Sequence, residues 1–210
     1  MIEFLQTWWP VPLAYFIGAT PFGFLAGKIK GIDIRDYGSG NIGATNAIRV
    51  LGKPLGIPVL ILDILKGMAP VVISLLVSEN TVVPIATSVA AILGHNYTFW
   101  LGFKGGKGIA TTAGAVIPIL TLAILIAIIV WLVFVKVTRY VSVASIAGAI
   151  SIPITVLTQN LVTGKSDLAV FLFALFVGAL AIWKHRSNIA RLHRGEEPRT
   201  KPKKSSTPST

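Results

Sequence analysis

Residues 38–49 read "GSGNIGATNAIR" and carry no charge until the last position. Glycine lets the backbone take positive φ and bring N–H groups close to a ligand, and Ser39, Asn41, Thr45 and Asn46 set neutral side-chain donors around Gly40. Arg49 adds a fork of charged donors that matches phosphate oxygens. Such a stretch suits a phosphate cradle. A flexible glycine-rich loop with Arg49 as an ordinary interfacial charge is the plainer alternative.

A second stretch, residues 94–111, reads "GHNYTFWLGFKGGKGIAT". Lys104, Gly105, Gly106, Lys107 and Gly108 lead into an expected helix N-terminus, where free N–H groups and the helix dipole attract anions. A nucleotide-binding P-loop does not fit, because Leu101 stands where the first glycine is needed and Gly108 replaces the hydroxyl residue that would hold magnesium. His95 reads either as a base or as a polar residue hydrogen-bonded to a neighbouring helix. The third stretch, residues 184–197, reads "KHRSNIARLHRGEE". Its His185 and Asn188 share one helical face with Arg191 nearby, so His185 could donate to phosphate or take a proton. A basic juxtamembrane segment also serves as a topology determinant or a contact for anionic lipid. Ser142 and Ser145, in "RYVSVASI", mean little singly.

The chain has no cysteine, which excludes thiol catalysis and cysteine-based metal sites. Neither a metal nor a cofactor is expected.

These stretches need elements to position them, and the composition says which kind. Of 210 residues, 53% are hydrophobic and 13% charged, with a mean hydropathy of +0.75, outside the range of a soluble domain. Apolar runs long enough to cross a bilayer lie at about 4–27, 55–77, 82–101, 141–161 and 168–183. Residues 109–135 are long enough for one tilted span and too short for two full ones, and a single crossing would put the basic groups that follow on the opposite face. A turn near Pro118, with a short half-helix entering and a longer helix returning, places the basic groups at 28–53, 104–107, 136–139 and 184–204 on one face, as the positive-inside rule asks. The expectation is therefore an all-α polytopic membrane bundle of seven transmembrane segments, one of them the half-helix. Its N-terminus lies outside and its C-terminus in the cytoplasm.

Residues 1–27 have no base ahead of Lys28 and so read as a retained first span, not a signal peptide. Residues 1–198 read as one membrane domain, and 199–210 as a disordered basic tail. Within the second run, Asp63 and Lys66 are expected to pair, since a lone ion at mid-bilayer costs about 2.5–3.5 kcal/mol. The net charge of +11 is spent on topology and anions; no nucleic acid is expected.

With the three loops in view, the chain resembles the bacterial acyl-phosphate:glycerol-3-phosphate acyltransferase family, often called PlsY. The resemblance covers residues 1–198 and rests on "GSGNIGATN", "LDILKG", "GHNYTFWLGFKGGKGIAT", "RYVSVASI" and "KHRSNIARLHRGEE", in that order. It implies transfer of a fatty acyl group from acyl phosphate to the 1-hydroxyl of sn-glycerol 3-phosphate, giving lysophosphatidic acid and phosphate, the first step of phospholipid synthesis. It further implies a cell-membrane enzyme, with acyl phosphate supplied by an upstream acyltransferase. Neither acyl-CoA nor acyl carrier protein is implied, in keeping with the lack here of a His-x-x-x-x-Asp pair.

By the same resemblance Ser39 and Arg49 are needed for activity, and Lys104 to Gly108 bind phosphate with His185 and Asn188. Ser145 also contributes to binding. Glu197 resembles an acid of structural importance, although Glu196 leaves the register open by one residue. The proton acceptor is His185 or the substrate's own phosphate. A monomer is the working expectation. Two other readings stay open from the residues alone: a transporter of phosphate-bearing anions, and a lipid-binding scaffold without chemistry.

Overall fold

The structure, a computed structural model, describes residues 6–200. Among them there is no strand. The helices are α1 (Pro10–Gly18), α2 (Phe22–Ile29), α3 (Ala44–Leu51), α4 (Lys53–Val77), α5 (Val82–Asn96), α6 (Ile109–Val116), α7 (Thr121–Thr138), α8 (Val141–Thr163), α9 (Leu168–Lys184) and α10 (Arg186–His193). Two short 3-10 turns, Ile34–Asp36 and Phe99–Leu101, stand before α3 and after α5.

Among the described residues four stretches are long and apolar enough to cross a membrane: Gln6–Ile29, which contains α1 and α2, and then α4, α7 and α8. A fifth arises if α9 and α10, bent by 50° at His185, count together. The expected half-helix exists as α6, and the chain turns at residues 117–119 before α7 returns. The run expected at 82–101 is shorter than read: α5 stops at Asn96. At about 1.5 Å per residue its 15 residues span roughly 22 Å, less than a hydrocarbon core. The helix ends there because the glycine-rich stretch folds back on it, Gly106 N–H donating to the His95 carbonyl at 3.1 Å. The disordered tail read at 199–210 also needs correction at its start, since Arg199 and Thr200 are held against residues 139–140 (below); positions 201–210, and 1–5 with the first-span start at Phe4, lie outside the described residues.

Bare helix faces let these elements approach closely. A Cβ on Gly67 of α4 would overlap the Thr111 carbonyl of α6, and one on Gly114 of α6 would overlap the Ile64 carbonyl of α4. Gly18 and Gly94 interlock α1 and α5 in the same reciprocal way. Without an apolar driving force in lipid, such close contacts are what hold helices together. A core of Val71, Ile92, Val116, Ile124, Ile152 and Phe173 joins α4 to α9, while leucines and isoleucines such as Leu125, Ile129 and Leu132 of α7 face outward. A second cluster, Ala26, Ile34, Ile42, Ala47 and Val59, supports the 38–46 loop from below.

The expected Asp63–Lys66 pair is present at 2.8 Å, both residues buried. Lys66 Nζ also donates to the Thr20 carbonyl at 2.7 Å. That carbonyl lies in the interruption between α1 and α2, so the ammonium compensates a broken helix and a carboxylate together.

Candidate active site

One cavity of about 370 Å³ runs from the loop ends into the bundle. Its head is lined by Ser39, Asn41, Thr45, Asn46, Arg49, Lys107, Gly108, His185, Asn188 and Glu197. Its arm is mostly apolar, between Leu60 and Ile64 of α4, Ile109 and Ala113 of α6, Ile124, Ala127 and Ile128 of α7, Gly148, Ala149 and Ile152 of α8 and Val177 of α9, with Asp63, His95 and Thr112 the polar residues of the remaining wall. Residues far apart in sequence, from all three stretches, thus meet at one end of a greasy channel.

The first loop is shaped by Asn46, buried at the start of α3. Its Oδ1 accepts from Ser39 N–H at 2.9 Å, and its Nδ2 donates to the carbonyls of Tyr37 (3.1 Å) and Ile34 (3.3 Å). Gly38, at φ +63°, lies so close to Asn46 Oδ1 that a Cβ would overlap it. Asn41 Oδ1 accepts from Gly43 N–H at 3.2 Å and shapes the entry to α3. Asn46, expected to bind phosphate, spends its amide on the backbone instead and fixes where Ser39 stands. Arg49 is exposed at the rim and has no acidic partner among the described residues.

The second stretch divides. Lys107 and Gly108 line the head; Lys104 is exposed and lines nothing, and Gly40 of the first loop is likewise outside the lining. Gly105 packs on the His95 carbonyl and Gly106 on the His95 ring, with no room for a Cβ at either. Those two glycines pack closely against His95 and lie outside the cavity lining. His95 is buried, with Nδ1 3.7 Å from Asp63 Oδ1, and both residues reach the cavity wall. Gly108, at φ +80°, caps α6 while pressed against the Asn96 side chain.

At the third stretch a polar chain forms. Lys107 Nζ donates to Asn188 Oδ1, Asn188 Nδ2 donates to Glu197 Oε1 at 2.7 Å, and Arg191 Nε donates to Glu197 Oε2 at 2.9 Å. Glu196 is exposed and pairs with Arg194, outside this chain of contacts. Burial pushes the Glu197 carboxyl up, but the nearby Ser142 hydroxyl and the hydrogen bonds from Asn188 and Arg191 outweigh it and hold the group below its usual range. Burial, then the charge of Arg191, push Lys107 down to about 8. Burial takes His185 down to about 4, so the ring is neutral at pH 7. Its Nδ1 stands 2.8 Å from the Ala181 carbonyl, which can only accept; the proton sits on Nδ1 and Nε2 keeps a lone pair.

The end of the described chain closes over this head. Pro198 joins the lining, Arg199 Nε donates to Tyr140 Oη at 3.0 Å, and Thr200 N–H donates to the Arg139 carbonyl at 2.9 Å. Ser142 and Ser145 of α8 both line the cavity, and Ser145 Oγ accepts from Trp131 Nε1 at 3.3 Å. Sequence reasoning missed Trp131, whose only signal was a lone indole in an apolar run.

The family model described as glycerol-3-phosphate acyltransferase matches residues 8–195. The chain belongs to that family. It is 46% identical over 185 residues to the glycerol-3-phosphate acyltransferase of Desulforamulus reducens, covering 88% of this chain and 90% of the relative. It is 45% identical over 184 residues to that of Geotalea daltonii, with 88% and 92% covered. For Staphylococcus aureus the identity is 42% over 198 residues, with 90% and 95% covered. Among solved structures it is similar to PlsY (YgiH), an integral membrane glycerol 3-phosphate acyltransferase. With the glycerol 3-phosphate form the TM-score is 0.86 at 40% identity, covering 92% of this chain and 94% of the other. With the lysophosphatidic acid form it is 0.82 at 40% identity, with 91% and 93% covered. Family membership accounts for the all-helical fold and the apolar helices together.

Proposed function

We propose that this protein transfers a fatty acyl group from acyl phosphate to the 1-hydroxyl of sn-glycerol 3-phosphate, releasing lysophosphatidic acid and inorganic phosphate. The observation that carries the reading is the continuity of the cavity: a head furnished with Arg49, Lys107, Asn188 and Ser39 opens into an arm walled by Ile, Leu, Ala and Val. A molecule with phosphate at one end and an acyl chain at the other fits both ends at once. The forms in which the similar PlsY structures were solved, with glycerol 3-phosphate and with lysophosphatidic acid, support substrate and product of this type.

The donor is a mixed anhydride whose leaving group is phosphate, so catalysis requires positioning and charge stabilisation more than activation. Arg49 and Lys107 bind phosphate oxygens. The 1-hydroxyl attacks the carbonyl carbon, the carbon–oxygen bond to phosphate breaks, and the departing phosphate carries away the hydroxyl proton. His185 Nε2, neutral and accepting, orients that hydroxyl; a group titrating near 4 is too weak a base to be needed as the proton's destination. Attack is direct, with no acyl-Ser39 intermediate. No step calls for a metal or a cofactor.

The molecule then sits as seven membrane segments with a cytoplasmic head, in the cell membrane, as one domain through Pro198. It acts as a monomer on acyl phosphate supplied by an upstream acyltransferase. The test is purified protein in detergent with palmitoyl phosphate, glycerol 3-phosphate and chelator, reading phosphate and lysophosphatidic acid. Equal release of both, sharply reduced in Arg49→Ala at subsaturating glycerol 3-phosphate, is expected. Folded protein that releases neither overturns the reading, and acyl chain trapped on Ser39 in the absence of glycerol 3-phosphate overturns direct attack.

A further inference from the structure

Hydroxyls in these helices usually turn inward on their own backbone. Thr87 donates to the Val83 carbonyl, Ser151 to Gly148, Thr155 to Ser151, Thr158 to Ile154 and Thr163 to Gln159, all at 2.7–2.9 Å. Ser145, about one turn into α8, does not. Its oxygen receives the indole N–H of Trp131 from α7, and among the described residues its own O–H has no acceptor. Ser145 is 4% exposed and lines the cavity, so the free O–H is a buried donor beside the space a substrate would fill. A hydroxyl that already accepts a hydrogen bond is also the stronger donor, because the two bonds polarise one another.

Its depth matters. Along α8 the residues that face the cavity are Val141 and Ser142, then Ser145, then Gly148, Ala149 and Ile152. Ser142 lies beside Glu197 in the polar head, and everything beyond Ser145 is apolar. On the facing helix, Trp131 is followed inward by Ile128, Ala127 and Ile124. Ser145 and Trp131 therefore mark the boundary between head and arm. An acyl phosphate with its phosphate in the head and its chain in the arm places its carbonyl at that boundary.

Resting on the acyl-transfer reading above, we propose that Ser145 donates its hydroxyl to the carbonyl oxygen of the acyl group. Trp131 is the positioning residue that holds Ser145 as a donor by occupying its oxygen. As the glycerol hydroxyl adds to the carbonyl carbon, the carbonyl π pair becomes an oxyanion that Ser145 O–H stabilises. The pair re-forms the carbonyl when the bond to phosphate breaks, and the proton leaves with phosphate. Ser145 is thus assigned to the reacting carbon's oxygen, not to a phosphate.

The experiment is steady-state kinetics on the wild type, Ser145→Ala, Trp131→Phe and the double variant, with palmitoyl phosphate and glycerol 3-phosphate. Turnover by the wild type is the control that tests the acyl-transfer reading itself; its absence sinks that reading before this one is reached. With wild-type turnover in hand, Ser145→Ala is expected to lower kcat roughly 100-fold, the usual cost of one oxyanion donor, with KM for glycerol 3-phosphate unchanged. Trp131→Phe keeps the ring and removes the N–H, and is expected to lower kcat about fivefold at unchanged KM, the size of one neutral hydrogen bond. The double variant should equal Ser145→Ala, because the indole acts only through the hydroxyl. Wild-type kcat in either single variant, a loss confined to KM, or losses that multiply in the double variant would overturn the proposal. If Trp131→Phe does not accumulate folded, Ser145→Ala decides alone: an unchanged kcat overturns the assignment and a kcat loss at constant KM supports it.

Discussion

Lys107 is a cation among cations, with Arg191, Lys184 and Arg49 adding to the effect of its burial, and it titrates near 8. Its charge is present below that pH and lost above it. Glycerol 3-phosphate binding should therefore weaken as pH rises through about 8, seen as a rising KM at little change in kcat. Bound phosphate favours the charged form, so saturating substrate should move the limb upward. Lys107→Arg, which cannot deprotonate, should abolish the alkaline limb; a KM limb near pH 8 that persists in that variant would show another group responsible. Arg49 stands alone at the rim, so Arg49→Ala should raise KM by roughly 10- to 100-fold, the worth of a charged hydrogen bond to phosphate, without loss of thermal stability. A fall in unfolding temperature instead would mark Arg49 as structural.

At the scale of elements, the short α6 and the end of α5 position the site through contacts that no side chain advertises. Gly106 lies on the His95 ring, and any Cβ there would force the 105–108 turn away from α5. Gly106→Ala is expected to displace Lys107 and raise KM for glycerol 3-phosphate at least tenfold, while Gly102→Ala, in open space though at φ +59°, should do far less. Equal effects would show the local turn to be tolerant. The buried pair in α4 is the other hinge of the design. Asp63→Ala leaves the Lys66 ammonium uncompensated beside Thr20, and should cost about 3–5 kcal/mol of stability, read as a lowered unfolding temperature in detergent. An unchanged unfolding temperature would mean that the Thr20 carbonyl alone satisfies Lys66.

For the whole molecule, the proposed arrangement of seven segments with the basic groups 28–53, 104–107, 136–139 and 184–204 on the cytoplasmic face can be tested directly, because the chain has no cysteine of its own. Single cysteines at Asn80 and Lys104, both exposed, provide reporters on opposite faces. A membrane-impermeant thiol reagent should label Asn80→Cys in intact cells and Lys104→Cys only after the membrane is opened. The reverse pattern would invert the topology and put the head outside.

Much was legible from residues in order. Apolar length marks spans, basic clusters mark one face, and a half-helix followed because residues 109–135 could not be reconciled with those clusters otherwise; α6 and its turn bear it out. Lys107, Asn188, His185, Ser39 and Arg49 were also legible as residues that meet, since charged and glycine-bearing stretches expected on one face suggest a shared anion, and the cavity gathers them. What order along the chain does not carry is which atoms of a polar residue are already spent. Asn46 faces the cavity wall yet gives its amide to Ile34, Tyr37 and Ser39, and Gly105 and Gly106 are spent on His95. Glu196 and Glu197, identical in type, separate only because one reaches Asn188 and Arg191 and the other faces solvent. Nor could an indole in the run of α7 be linked to a serine fourteen positions on until the two helices packed face to face. Apolar stretches and charge clusters follow from transfer free energies summed residue by residue, so sequence alone determines them, though not where a helix such as α5 ends. Hydrogen-bond pairing and backbone clearance depend on distances between segments, and only the tertiary structure decides those.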